Sequence, residues 1–418
     1  MPSLPFPTQY DAHNYQMTGV EAYMDLYILT GKAVYLDAVM GAWEMHRDPV
    51  AGFIHVGGSL AINEGGVYEP GSYWLAADAA HSWRSKRDAL REARGRLAGE
   101  PHTPHGPHGS HSHEPHHGHA HGRELQNDWG HHPTGEFCGA VFWLKLNQRL
   151  HRLMPDNETF VLEMEREVYN EGLAHQGAGG QGIRYFSNLN GVKEDAQHIG
   201  TCCEGQGTRL YGSLNEYLFT TVAGGGAGIY VDIYAPASIL HGALNLSIDT
   251  AWPYGESVTI TVASSSPGAV IDVALRMPSW LALDSVPIAL NGAPAAYAGT
   301  PGTYLHIARA WGAQDTLEFA LPMALRAHPY TGVTQLPPLV RYSYTAGPVL
   351  LAVTGAWDAG RHVEYLPGLD GAAPGAWMAP VPGQPLHYSV QGVPGALVQP
   401  AWEVGEGANF SAVPALDK

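Results

Sequence analysis

The sequence predicts an α+β multidomain protein: an array of helical hairpins followed by β-sandwich structure. Three observations carry that expectation. Apolar residues recur at helical spacing through much of residues 18–220, the run Gly224-Gly225-Gly226 interrupts the pattern, and alternation with turn signals then replaces it. At 418 residues and 45% apolar composition, the chain is long enough for two or three domains with sizeable cores.

The helical half opens over residues 18–47, where Thr18 and Glu21 have the spacing of a capping box and Thr30-Gly31 separates two helices. Val20, Met24, Tyr27 and Ile28 share one face. Further helices are expected over residues 73–93, over 137–153 ending near Pro155, over 158–173 and over 206–220. Past the glycine run, Val258-Thr259-Ile260-Thr261-Val262 alternates, residues 270–277 read as a strand, and Asn291-Gly292 is a strong hairpin turn. Strands recur at 303–307 and 316–319, the spacing of an all-β sandwich. Residues 356–418, rich in proline and glycine, read as partly extended and say little about function.

Composition narrows the partners. A formal net charge of -17 disfavours nucleic acid and anionic membrane, which both demand a basic face. A neutral glycan is compatible with that charge. No apolar run approaches the length of a membrane span, and residues 1–11 lack the basic start and apolar core of a secretory signal. A cytoplasmic location is therefore the expectation. Eleven tryptophans and 21 tyrosines suit carbohydrate stacking, though such rings also fill cores.

The three cysteines all fall in two short motifs, Gly135-Glu136-Phe137-Cys138 and Thr201-Cys202-Cys203-Glu204. With Glu136 they form a four-ligand set sufficient for one tetrahedral zinc ion. This is not zinc-finger spacing. Adjacent cysteines can share one metal only if the turn over residues 201–204 splays both side chains inward. Two other readings stay open at this level: inert buried thiols, and a vicinal disulfide that leaves Cys138 odd. So few cysteines also argue for a reducing compartment.

The surrounding residues add a resemblance. Glu136-x-Cys138 is followed by Leu144-Lys145-Leu146, Arg149-Leu150, Glu165-Arg166, Tyr169-Asn170 and Cys202-Cys203-Glu204-Gly205. Upstream stand His13-Asn14, Leu29-Thr30-Gly31 with Tyr35-Leu36, Gly57-Gly58, and Glu64 with Tyr68-Glu69-Pro70. Downstream stand Arg276-Met277-Pro278-Ser279-Trp280, Asn291-Gly292 and Gly347-Pro348-Val349-Leu350-Leu351-Ala352. In this order the motifs resemble glycoside hydrolase family 127, typified by β-L-arabinofuranosidases. The Glu-x-Cys and Cys-Cys pairing is the specific part.

The resemblance implies a retaining glycoside hydrolase whose helical hairpins close into an (α/α)6 toroid around the site. It implies zinc held by Glu136, Cys138, Cys202 and Cys203, with Cys202 attacking the anomeric carbon. A retaining glycosidase needs a nucleophile and a proton donor, usually two carboxyls; here sulfur would replace one. Metal binding would deprotonate that sulfur and hold it in place. Glu64 occupies the place of the acid/base glutamate, and Glu69 is its competitor or a substrate contact. His13 matches a histidine that contacts sugar hydroxyls.

The expected division is a partial α/α-barrel over 1–222, a β-sandwich over 223–355 and a Pro/Gly-rich β or extended region over 356–418. Two departures from the family accompany it. The chain begins shortly before His13, so the toroid is expected to lack its N-terminal half, unless the true start lies upstream. Such an array would expose an apolar flank, to be covered by a partner chain or a homo-oligomer. The alternative to catalysis is then a truncated remnant that binds glycan or a partner subunit. The second departure is a histidine-rich insertion at about residues 84–128, densest at His111, His113, His116, His117, His119 and His121. Its composition cannot bury a core and predicts a disordered loop, read either as loose metal capture or as a low-complexity linker.

Overall fold

The computed structural model describes residues 16–47, 54, 135–197, 200–221, 228–266, 268–331 and 335–418. The helix expected over 73–93 and the histidine-rich insertion lie outside the described residues, as do His13, Glu64 and Glu69.

Helices α1 (Gln16–Thr30) and α2 (Ala33–His46) form the first hairpin. Gly31 turns it with φ +66, a left-handed conformation that glycine adopts without a Cβ clash, and its N–H returns to the Tyr27 carbonyl at 2.8 Å. Two expectations fail here. The helix starts before Thr18, so Thr18 is an interior residue rather than a cap, and Ile28 is 58% exposed although Val20 and Met24 are buried. The buried face of α1 is therefore narrower than its apolar residues suggest.

Helix α3 (Phe137–Leu153) is the centre of the helical half, buried on nearly every side. Trp43 of α2 stacks on Trp143 with ring centres 6.3 Å apart and donates to Asn147 Oδ1 at 2.7 Å. Helix α4 (Glu158–Arg166) starts at Asn157, whose side chain accepts the Thr159 N–H at 3.2 Å. It was expected to run regularly to residue 173. Instead it widens into a π-helical turn, Glu167–Gly172, which turns Tyr169 and Asn170 toward the strands beyond. Helix α5 (Cys202–Gly212) starts earlier than expected and breaks at Ser213, before a 3-10 turn and a short strand. No helix among the described residues is long and apolar enough to cross a membrane.

The remainder is sheet. A four-stranded sheet runs in the order Thr303–Ala310, Val270–Met277, Gly228–Val231, Phe219–Thr221. A six-stranded sheet holds Leu244–Thr250 and Ser257–Ser264 as neighbouring interior strands, with alternating buried and exposed side chains. Its Val286–Leu290 and Ala293–Gly299 strands join at Asn291 (φ 50) and Gly292 (φ 75), a two-residue hairpin that needs two left-handed residues. One hydrophobic core runs from Met17 through α3 into both sheets. An 11-stranded sheet gathers strands between Leu325 and Leu416 with the short strand Asn190–Val192, around a separate core that includes Tyr344, Leu351 and Val398.

Buried polar groups join the halves. Arg276, next to the last residue of the strand Val270–Met277, reaches Glu158 Oε1 at 2.8 Å and Glu165 Oε2 at 3.0 Å, and Trp280 Nε1 donates to the same Glu165 oxygen at 2.8 Å. Asn170 donates to the Pro348 carbonyl at 3.0 Å and accepts the Leu350 N–H at 2.9 Å. The scattered motif residues Glu165, Asn170, Arg276, Trp280 and Pro348 thus meet at one seam, joined across it by these hydrogen bonds and ion pairs.

Candidate metal centre

Two helix starts build the site. Glu136 immediately precedes α3, bridges to Phe186 in antiparallel fashion, and its carbonyl accepts the Gly139 N–H at 2.9 Å. Cys138 lies in the first turn of α3, and Cys202 and Cys203 are the first two residues of α5. The doublet therefore does not sit in an open turn. At a helix start successive side chains diverge by roughly 100° about the axis, so a neighbouring group is needed to bring both sulfurs to one point.

That neighbour is the start of α3. Gly207, one turn beyond Cys203, lies so close that a Cβ there would stand 2.8 Å from both Phe137 Cε1 and Ile183 Cδ1. Phe137 is also held by His175, whose ring stacks on it with centres 4.3 Å apart. The close approach brings Cys138 Sγ to 3.4 Å from Cys203 Sγ, and Cys203 Sγ to 3.6 Å from Glu136 Oε1. One donor atom from each of Glu136, Cys138, Cys202 and Cys203 lies within 4.8 Å of all the others. The four residues that the motifs singled out are gathered as a group that could hold a metal ion. A disulfide would need about 2.05 Å between sulfurs, and all three thiols are free, so the vicinal disulfide is excluded.

The electrostatics favour a cation. Cys138 is pushed well above the usual thiol range by its contact with Cys202, with burial and the Glu136 carboxylate adding to the effect. Burial pushes Cys203 up, and both neighbouring thiols push it further. Without positive charge these sulfurs keep their protons; a divalent ion among them reverses that preference. Glu136, Cys138 and Cys203 are fully buried, whereas Cys202 is partly exposed. Cys202 is thus the sulfur most open to a ligand from outside.

Other contacting groups escape a reading of motifs. Tyr185 brings its hydroxyl to 3.7 Å from Cys202 Sγ, and burial together with the Glu136 carboxylate keeps it protonated. Glu204 turns back to accept the Gly200 N–H at 2.7 Å, bracing the entry to α5. Nothing in the sequence ties Tyr185 to the doublet; its only signal is an aromatic pair, Tyr185-Phe186, in a short extended segment.

Comparisons with known proteins bear on the family and the fold. The family model described as the GH127 catalytic domain of β-L-arabinofuranosidase matches residues 110–216, and that of the GH127 middle domain matches residues 228–323. Among solved structures, a GH127 β-L-arabinofuranosidase from Geobacillus stearothermophilus T6 is 15% identical with a TM-score of 0.63, covering 97% of this chain and 60% of its own. A second GH127 β-arabinofuranosidase gives the same identity, TM-score and coverages. A structure titled glycoside hydrolase is 16% identical with a TM-score of 0.52, covering 68% of this chain and 52% of its own. The chain thus spans between half and three-fifths of the length of these structures. No curated protein matches it.

Proposed function

Because this chain belongs to glycoside hydrolase family 127, we propose that it is a retaining, zinc-dependent glycosidase acting on a β-L-arabinofuranoside or a similar glycan end. The observation that carries the reading is the gathering of Glu136, Cys138, Cys202 and Cys203 from two helix starts. Zinc fits the donor set. Zinc–sulfur bonds of about 2.3 Å place tetrahedral ligands about 3.8 Å apart, and the two measured edges are 3.4 and 3.6 Å. When bound, the ion supplies the positive charge that keeps the thiols ionised at neutral pH.

The chain's own residues divide the chemistry. Cys202 sulfur attacks the anomeric carbon as the glycosidic bond breaks, and Glu64 gives its proton to the leaving oxygen. Water then attacks that carbon, surrendering a proton to Glu64, and the carbon–sulfur bond breaks to return the thiolate. Cys138, Cys203 and Glu136 hold the direction of the attacking sulfur, while His13 and Glu69 contact the sugar. The fold belongs to the same proposal: a partial (α/α)6 toroid over 1–222 with the histidine-rich insertion, a β-sandwich over 223–355, and a C-terminal β region over 356–418. So does a cytoplasmic setting, where thiols stay reduced, and so does a partner chain or second copy against the helical half.

The test is hydrolysis of an aryl β-L-arabinofuranoside by protein loaded with zinc. Release of sugar, its loss in Cys202→Ala, and a sugar adduct on Cys202 by mass spectrometry are expected. Equilibrium binding of arabinan fragments without turnover, indifferent to Cys202→Ser, would instead identify the non-catalytic binding protein.

A further inference from the structure

The C-terminal region reaches the metal centre through one ion pair. Residues 183–186 form a rib beside the site: the Phe137 N–H donates to the Tyr185 carbonyl at 3.1 Å, Glu136 pairs with Phe186, and the Tyr185 hydroxyl meets Cys202. While the Tyr185 hydroxyl faces Cys202, the neighbouring Arg184 is buried among a separate set of partners. Its guanidinium donates to the carbonyls of Ala174 at 3.1 Å, Gln176 at 2.5 Å and Glu194 at 2.5 Å, and pairs with the Glu406 carboxylate.

Glu406 does not stand alone. The Gly407 N–H donates to the Lys193 carbonyl at 2.9 Å and the Lys193 N–H to the Ala408 carbonyl at 2.9 Å. The strands Asn409–Ser411 and Asn190–Val192 then pair antiparallel, and Ala412 N–H donates to the Leu189 carbonyl at 2.7 Å. The whole segment 189–193 is thus laced to 407–412. Glu406 supplies the charged end of that lacing, on the residue next to Tyr185.

We propose that Glu406 is a positioning residue for the thiol site, acting through Arg184 to set the rib that carries Tyr185 and contacts Glu136. The inference rests on the reading of Glu136, Cys138, Cys202 and Cys203 as a metal site. Loss of the carboxylate leaves the buried guanidinium with its carbonyl acceptors and only the longer-range charges of Asp195 and Glu194, and the rib relaxes toward solvent. The distance from Glu136 to the sulfurs then changes, though no ligand has been removed.

The experiment is a cobalt(II) titration of the full chain, read by thiolate-to-metal charge transfer and by the visible bands of a tetrahedral site. Wild type, Glu406→Ala, Glu406→Gln, Glu406→Asp and the exposed control Glu318→Ala are compared, with circular dichroism monitoring the fold. Glu406→Ala and Glu406→Gln are expected to bind cobalt about tenfold or more weakly with shifted visible bands, as supporting residues around metal sites do. Glu406→Asp should recover the wild-type spectrum, and Glu318→Ala should match wild type throughout. Unchanged spectra and affinity in Glu406→Ala and Glu406→Gln overturn the inference. Unfolding of both also overturns it, since Glu406 would then serve the fold generally. Should wild type bind cobalt without thiolate bands, the metal-site reading itself fails and this inference falls with it.

Discussion

Cys138 Sγ and Cys203 Sγ stand 3.4 Å apart across 65 residues of chain, both fully buried, with the Glu136 carboxylate against the second. Two buried sulfurs beside a carboxylate repel one another once ionised, so the arrangement is stable either fully protonated or around a cation. The loss of one sulfur should therefore show first in metal content. Cys203→Ser is expected to retain less than about a tenth of the wild-type metal after dialysis, measured by elemental analysis. A variant that keeps one metal per chain would remove Cys203 from the ligand set.

Gly207 makes the approach of α5 possible. In Gly207→Ala the new methyl meets the Phe137 ring and Ile183 at 2.8 Å, and the Phe137 ring is itself packed against His175, so room must be made by shifting buried neighbours. Alanine would gain about 1 kcal/mol of helix propensity, but overpacking of about 1–3 kcal/mol outweighs it. Lower thermal stability together with weaker metal uptake is the expected result. Equal or greater stability with unchanged metal affinity would show that the contact is slack.

Arg276 neutralises two carboxylates at the seam between helices and strands. Arg276→Met leaves Glu158 and Glu165 buried without it, which should cost about 3–5 kcal/mol in urea unfolding. Replacing both glutamates by glutamine in the same background should recover a large part of that loss. Failure to recover any would mean that the guanidinium contributes through packing rather than charge.

Glu364 carries a pH dependence. Burial raises its carboxyl from 4.5 to about 7, although the Ala356 N–H donates to it at 2.5 Å. A carboxyl with a raised folded-state pKa favours the folded state while protonated. Its contribution is complete below about pH 4.5 and is lost as pH rises through about 7, a span worth up to about 3 kcal/mol. Glu364→Gln should thus match wild type near pH 4.5 and exceed it at pH 8, in paired urea melts. A constant difference across that range would assign the effect to something other than ionisation.

Much of the architecture is legible in the chain because it is local. The helix over 137–153 and the turn at Asn291-Gly292 follow from periodicity and from residues that tolerate left-handed backbone, and both stand where expected. The end of α4 was not legible: the π-helical turn at Glu167–Gly172 answers to Asn170 reaching Pro348 and Leu350, partners far along the chain. The boundaries of α5 shifted for a similar reason, since its first residues, Cys202 and Cys203, face a second helix start.

Residue chemistry by itself singled out the four side chains that the structure gathers, since no other cysteines exist to supply a thiolate and Glu136 stands two residues from one of them. Tertiary structure decided everything about how they meet: which sulfur stays partly exposed, that Tyr185 touches it, and that Glu406 braces the segment behind it. The physical reason is range. Ligand identity is a property of single residues, whereas distance, burial and support arise only when Gly207 lets α5 settle on Phe137 and the C-terminal segment laces onto residues 189–193.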